Sequence, residues 1–381
     1  MQTHFDYIIL GAGLSGLTTA IRMSRAPFFS QKSIAIIDQN LSKKNDRTWC
    51  FWETKPSLYE ETVSYSWNSI LVKENNISKP IPIAPYTYKK IESADLYAFA
   101  KAELSQHKNI SFIESEVSSY TENEIGVTVT TTDNSFTCTR LLSSIYNPTI
   151  LKKQDEAVVL QQHFVGWFVE TKEPAFDKSV AIYMDFSVAQ EGNCRFMYVL
   201  PTTANNALIE YTLFSKDLLP LSEYEDAIKT YLANLGVSDY KITAREKGSI
   251  PMTTYDFTQH NSENVLHIGT AGGWTKASTG YTFTHTLEKS AALITFLKSG
   301  KPFTQYKLKN RWTFYDEVLL KVLDHKNYLG KEIFTGMFKK GKTGHIFRFL
   351  DEESSILDEL KVILSAPKIP FIRAALQVLF R

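Results

Sequence analysis

Glu210 follows Ala207-Leu208-Ile209 and precedes Tyr211-Thr212-Leu213-Phe214, so it is a carboxylate inside a run that reads as an apolar β-strand. Burial in such a strand penalises the charged form, so the group keeps its proton near neutral pH and can act as a general acid. A strand Glu paired with a neighbouring cation is the competing reading. Asp46 and Asp185 are further carboxylates that could carry proton traffic. Trp49, Phe51, Trp52 and Trp274 offer π-faces to a positive charge, or pack as ordinary core. A protonated carboxyl with aromatic faces nearby suits chemistry that passes through a cation. Other chemistries find no support. The eight histidines show no HxxxH or HExxH spacing, so a metal site is not expected. No GxSxG nucleophile signature is present.

A second constellation concerns phosphate. Phe5-Asp6-Tyr7-Ile8-Ile9-Leu10 reads as a buried parallel strand, and Gly11-Ala12-Gly13-Leu14-Ser15-Gly16 follows it directly. Leu17 to Met23 then has helical spacing, and Ser33 to Ile37 is a second apolar strand closed by Asp38. Such a GxGxxG between strand and helix, with an acid ending the next strand, predicts dinucleotide binding. Gly11 permits the tight turn, Gly13 lets backbone approach a pyrophosphate, and Gly16 lets helix and strand pack closely. The helix N-terminus offers free N–H groups to the phosphates. Asp38 can accept from both ribose hydroxyls and would repel a 2′-phosphate. A second strand–glycine loop–helix spans Asn264 to Leu297, with Gly269, Gly272, Gly273, Thr279 and Gly280.

These groups need a scaffold of more than one domain, which 381 residues allow. Ser93 to Gln106 reads as a helix, Asn109 to Val117 as a strand, and 127–132 with 136–140 as a hairpin. Leu141 to Ile145 returns to the first sheet. Four alternating strands between Leu160 and Phe214, then a helix from Ser222 to Asn234, predict a second sheet inserted into the first domain. The expected fold class is α/β: a Rossmann-like FAD-binding domain from residues 1–60, 90–150 and 255–300, with an inserted antiparallel β-sheet substrate domain from 61–89 and 151–254. Residues 301–381 form a helical C-terminal region. There, Lys339, Lys340, Lys342 and Arg348 alternate with Phe334, Phe338, Phe347 and Phe349, and the 371–380 tail carries an apolar stripe. Both read either as a solvated helical face or as a surface for an anionic membrane.

Composition narrows the function classes. Lys and Arg number 42 against 41 Asp and Glu, which disfavours a nucleic-acid partner. Three cysteines without CxxC spacing give no zinc module and fit a reducing compartment. Met1 to His4 lead straight into the first strand, so no signal peptide is expected, and no apolar stretch reaches membrane-span length. The expected location is cytoplasmic, peripheral to the inner membrane face. Aromatics reach 13%, which suits either a greasy ligand or an aromatic core.

The paired glycine motifs around an inserted sheet resemble flavoproteins of the aromatic-hydroxylase fold. Thr270 stands where that fold carries an Asp for the ribityl chain, and Tyr146-Asn147-Pro148 replaces its Gly-Ala-Asp-Gly. Four stretches resemble a narrower family, the bacterial lycopene β-cyclases: Asn45 to Glu53, Met184-Asp185-Phe186, Leu208 to Thr212, and Ile268 to Phe283. That family also lacks the Asp at the position of Thr270. The resemblance implies reduced FAD, kept reduced by NAD(P)H, and a redox-neutral closure of the ends of linear lycopene into β-ionone rings. It implies that Glu210 is tied to acid catalysis; the resemblance to the wider flavoprotein fold implies that Arg47, which follows the second strand, faces the cofactor, although a surface salt bridge would also account for Arg47. The alternatives are an FAD-dependent hydroxylase or prenyl reductase, or a prenyl-lipid escort protein without catalysis.

Overall fold

The structure is a computed structural model and describes residues 2–74, 79–308 and 310–380. The chain opens with β1 (His4–Leu10), α1 (Leu14–Ser24) and β2 (Ile34–Asp38), the expected βαβ unit. β3 (Thr48–Glu53), β4 (Val63–Trp67), β5 (Ser69–Lys73), β6 (Ile81–Pro82) and β7 (Thr87–Glu92) follow. Next come α2 (Ser93–Leu104), β8 (Ile110–Glu114), β9 (Val117–Asn123), β10 (Gly126–Thr131), β11 (Ser135–Ser143) and the short α3 (Thr149–Lys152).

The first sheet has the order β8-β2-β1-β11-β10-β9, with β17 (Val265–His267) paired to β11. β1 runs parallel to β2 and β11, whereas β9 and β10 are antiparallel additions at one edge. The expected hairpin strand and the expected returning strand are one strand. β11 pairs antiparallel with β10 through Cys138 and parallel with β1 and β17 through Ser143. Its first half alternates, with Phe136 and Cys138 buried, and its second half, Leu141 to Ser143, is buried on both faces. Tyr7 and Ile9 of β1 pack in one core with α1 and α2, and Ile8 and Leu10 face the other way.

The second sheet is built from β5, β6, β12 (Val159–Thr171), β13 (Val180–Asp185), β14 (Cys194–Pro201), β15 (Asn206–Ser215) and β16 (Tyr240–Thr253). Its order is β16-β12-β15-β14-β13-β5-β6. A separate three-stranded sheet, β3-β7-β4, lies between the two larger sheets in sequence. β16 was not expected. It pairs with β12 along most of its length, from Tyr240 to Thr253. Period-2 alternation divides the second sheet's faces. Ile209, Tyr211 and Leu213 pack under α4 (Leu221–Asn234) with Ile228 and Leu232. Leu208, Glu210, Thr212 and Phe214 take the opposite face.

That opposite face is roofed by the C-terminal helices. α5 (Phe283–Lys298) belongs with the first sheet, where Arg22 of α1 donates to Ser290 at 2.9 Å. The remainder is helical: α6 (Arg311–His325), α7 (Gly330–Lys340), α8 (Thr343–Leu350), α9 (Ile356–Ile363) and α10 (Lys368–Leu379). Phe334 and Met337 of α7, with Ile346 and Phe347 of α8, are buried against the sheet. The Phe side chains of the basic segment therefore point inward instead of forming an exposed aromatic face. The fold is thus a Rossmann-like α/β domain carrying an inserted, largely antiparallel sheet, closed by a helical C-terminal region.

Candidate active site

A cavity lies between the second sheet and α7–α8. Its walls are apolar and aromatic, with Phe164, Tyr183, Phe196, Tyr198, Leu208, Tyr281, Phe283, Phe334 and Phe338 among them. Two carboxylates, Glu210 and Glu246, face into it. Gly166 of β12 pairs with Glu210 on one side and with Glu246 on the other. Two strand spacings put their Cα atoms about 10 Å apart. The Glu210 side chain lies over Gly166, and the two carboxyls are close enough to shift one another's proton affinity. A Cβ at Gly166 would stand 2.8 Å from Glu210 Cγ, so only glycine leaves room for this arrangement.

Burial pushes the Glu210 carboxyl well above the usual carboxylate range, and the neighbouring Glu246 pushes it further. Glu246 is also raised by burial, but less, because Thr48 Oγ1 donates to it at 2.9 Å and Lys90 lies nearby. Burial likewise raises the Cys50 thiol and the Tyr183, Tyr198 and Tyr281 phenols, so these groups face the cavity neutral. The cavity therefore sets a carboxyl of raised proton affinity among neutral, polarisable walls.

A groove along the first sheet meets this cavity. Gly11, Gly13, Leu14, Ser15, Asp38, Lys43 and Arg47 line it, and Trp49, Ile250 and Thr282 line both groove and cavity. The space beside Gly13 is open, with nothing within 4 Å of where a Cβ would stand. No side chain caps α1, so its first N–H groups remain free to meet an anion. Asp38 accepts from Ala12 N–H at 2.7 Å and from Lys43 Nζ at 2.7 Å. These features fit the pyrophosphate and ribose of a dinucleotide. The second glycine motif touches the first, since a Cβ on Gly269 would strike Ser15 Oγ.

The sequence profile of the lycopene cyclase protein family matches residues 6–376. The chain belongs to the lycopene cyclase family. No curated protein sequence matches it. Among solved structures it resembles a geranylgeranyl bacteriochlorophyll reductase-like protein from Thermoplasma acidophilum, with a TM-score of 0.63 and 9% identity, covering 98% of this chain and 99% of that one. A p-nitrophenol 4-monooxygenase from Pseudomonas putida gives a TM-score of 0.60 at 11% identity, covering 100% of this chain and 98% of that one. A flavin-dependent brominase gives 0.59 at 11% identity, covering 92% and 94%. At such identities the likeness concerns the fold.

In this lycopene cyclase family member the remaining expected residues are dispersed. Of the four aromatics, only Trp49 lines the cavity. Phe51 stacks on Phe283 at 4.1 Å within the nucleotide domain, and Trp274 is fully buried in that same core. Trp52 stacks on Phe347 at 4.5 Å and donates its N–H to Asp351 at 2.7 Å. Asp185 faces away from the cavity, accepting from Tyr231 of α4 at 2.8 Å and pairing with Lys73 at 2.9 Å. Asp46 lies at the groove, where it accepts from Ser93 and Tyr97 and sits 3.7 Å from the exposed Arg47 guanidinium. Thr279 and Gly280 line the cavity, whereas Gly272 and Gly273 lie on the far side of the loop, at a separate polar pocket.

That pocket holds a buried ion triad. Lys276 Nζ lies 3.0 Å from Asp316 of α6 and 3.0 Å from Glu352 after α8. The triad ties the 269–280 loop to the helical roof. Glu246, Gly166, Lys43 and this triad were not expected. Among the described residues no cluster suited to a metal exists, and no helix is long and apolar enough to cross a membrane.

Proposed function

We propose that this chain is a flavin-dependent lycopene β-cyclase, closing the ψ-ends of a linear carotene into β-ionone rings without net redox change. The observation that carries this reading is a half-buried carboxyl of raised proton affinity in an aromatic-walled cavity that opens into a glycine-lined groove. Glu210 has the burial and proton affinity to deliver a proton to a terminal alkene. Trp49, Tyr183, Tyr198 and Tyr281 line the cavity where the cation would form, and its largely apolar lining disfavours water that would capture it. Gly11, Ala12, Gly13, Leu14, Ser15 and Asp38 would hold FAD, with Arg47, Gly269 and Thr282 toward its flavin end. Reduced FAD bound there, with NAD(P)H as reductant, would supply negative charge beside the cavity that favours a cationic intermediate.

A carotene lives in the bilayer, and an exposed apolar face on the C-terminal helices supports docking there. Leu357 and Leu360 of α9 and Ile369, Ile372, Leu376 and Leu379 of α10 all point outward, Leu357 being 70% exposed. Phe371, Ala374, Ala375 and Val378 form the inward stripe of α10. The basic segment contributes less than its sequence implies, since Lys339 is engaged with Glu74 at 3.1 Å. A membrane-peripheral position with α9–α10 in the interface follows.

The test is expression in a lycopene-producing host, where the pigment should turn from red to orange-yellow. Lycopene left unchanged by soluble, flavin-loaded protein would overturn the assignment. Consumption of one NAD(P)H per product would instead favour a reductase.

A further inference from the structure

We propose that Glu246 is the second half of a one-proton carboxyl pair with Glu210, and that this pair both gives and recovers the proton of the cyclisation. The proposal rests on the cyclase reading above and assigns its base. The geometry is specific: β15 and β16 flank β12, Gly166 faces both glutamates in register, and its missing side chain is what lets the carboxyls meet. Both line one cavity. Two carboxylates side by side in an apolar-walled cavity cannot both ionise at ordinary cost, so the pair retains one proton.

The groups facing the pair come from four elements. Thr48 and Cys50 of β3, Lys90 and Glu92 of β7, Tyr198 of β14, and Tyr281 of the glycine loop surround it. Lys90 is occupied by Glu92 at 3.0 Å, so it tempers the pair's negative charge without neutralising either member. Thr48 donates to Glu246, which leaves Glu210 as the member that carries the proton.

The step then balances. The Glu210 O–H bond breaks and a C–H bond forms at one carbon of the terminal double bond, leaving a tertiary cation. The internal double bond attacks that cation, forming the ring C–C bond and moving the positive charge into the ring. Loss of a ring proton to the pair forms the ring double bond. The pair passes from charge −1 to −2 and back while the substrate passes from 0 to +1 and back, so no proton or electron comes from outside.

Glu246→Gln tests this. The variant should fold and keep its melting temperature, with kcat falling roughly 10- to 100-fold at unchanged KM. Its basic pH limb should move down by about one unit or more, because Glu210 loses its like-charged neighbour. Difference infrared spectroscopy on the protein without substrate supplies a second readout. Asp351 and Glu288 also hold protons near neutral pH, so the readout is the difference between variants: a protonated-carboxyl band of the parent should be lost in Glu210→Gln and titrate at lower pH in Glu246→Gln. A Glu246→Gln protein with the parent's rate, pH profile and infrared titration would overturn the pair while leaving Glu210 as a lone acid. If the parent fails to convert lycopene, the cyclase reading falls, and the infrared titration still decides whether the pair exists.

Discussion

Replacing Lys276 by Met should cost more than any surface change, and the cost can be worked from the triad. Lys276 is 3% exposed and stands between Asp316, 9% exposed, and Glu352, 18% exposed. Deleting the ammonium leaves two enclosed carboxylates unpaired, for which roughly 3–5 kcal/mol is typical. A chain of 381 residues unfolds with an entropy of roughly 0.8 kcal/mol/K, so the melting temperature should fall by about 4–6 °C. The sign of the pH dependence follows from the same groups. Burial alone would raise Glu352, yet Lys276 overrides it and holds the carboxyl at about 2. Without Lys276 its folded pKa rises above the unfolded value, so the folded protein is penalised increasingly as pH climbs through that raised pKa. The gap between parent and variant should therefore widen from pH 5 to pH 8 in thermal melts. Lys276→Met combined with Asp316→Leu and Glu352→Gln should recover most of the loss. An unchanged melting temperature, or a gap independent of pH, would refute the argument.

Gly166→Ala should depress carotene turnover and shift the pH profile while sparing flavin content, because the new methyl meets the Glu210 side chain. Gly13→Val should retain its melting temperature but lose FAD uptake by fluorescence quenching, since the new side chain enters open groove and disturbs no packing. Asp38→Ala should weaken retention of FAD more than that of FMN, which lacks the adenosine ribose. Exchanging Leu357, Leu360, Ile372 and Leu376 for Ser should lower sedimentation with anionic vesicles by roughly tenfold or more, as each apolar side chain loses its transfer energy. Vesicle binding equal to the parent's would move the docking face elsewhere.

The nucleotide half was legible because its signals are local: strand, glycine turn, helix and closing acid lie within 35 residues, from His4 to Asp38. Glu210 was legible for a similar reason, as a charge set in an apolar strand. Glu246 was not, because β16 presents Lys241, Arg245 and Lys247 outward and its inward residues are only half-buried. Its period-2 alternation from Tyr240 to Ile250 was the available signal. For the aromatics, sequence supplied the residue type but not the destination. Phe51 and Trp52 must face opposite ways in one strand, and only tertiary packing decides which side is the cavity. In the basic segment, Phe334 and Phe338 lie one helical turn apart, a spacing that fits an inward stripe as well as a lipid-facing one.

β16 ends its sheet, so among the described residues one rail of a 14-residue strand has no partner strand. Such an edge is a template for pairing with a second copy of the chain, and exposed Lys241, Arg245 and Lys247 are the like charges that discourage it. The same strand holds Glu246, whose proposed partnership with Glu210 depends on the register of β16 on β12. Solubility and proton chemistry are thus written into alternate residues of one ribbon, and Arg245→Val with Lys247→Val would set them against each other. Strand pairing between copies would pull the ribbon toward a flatter register and carry Glu246 away from Glu210, so oligomers of that variant should lose turnover in proportion to their fraction.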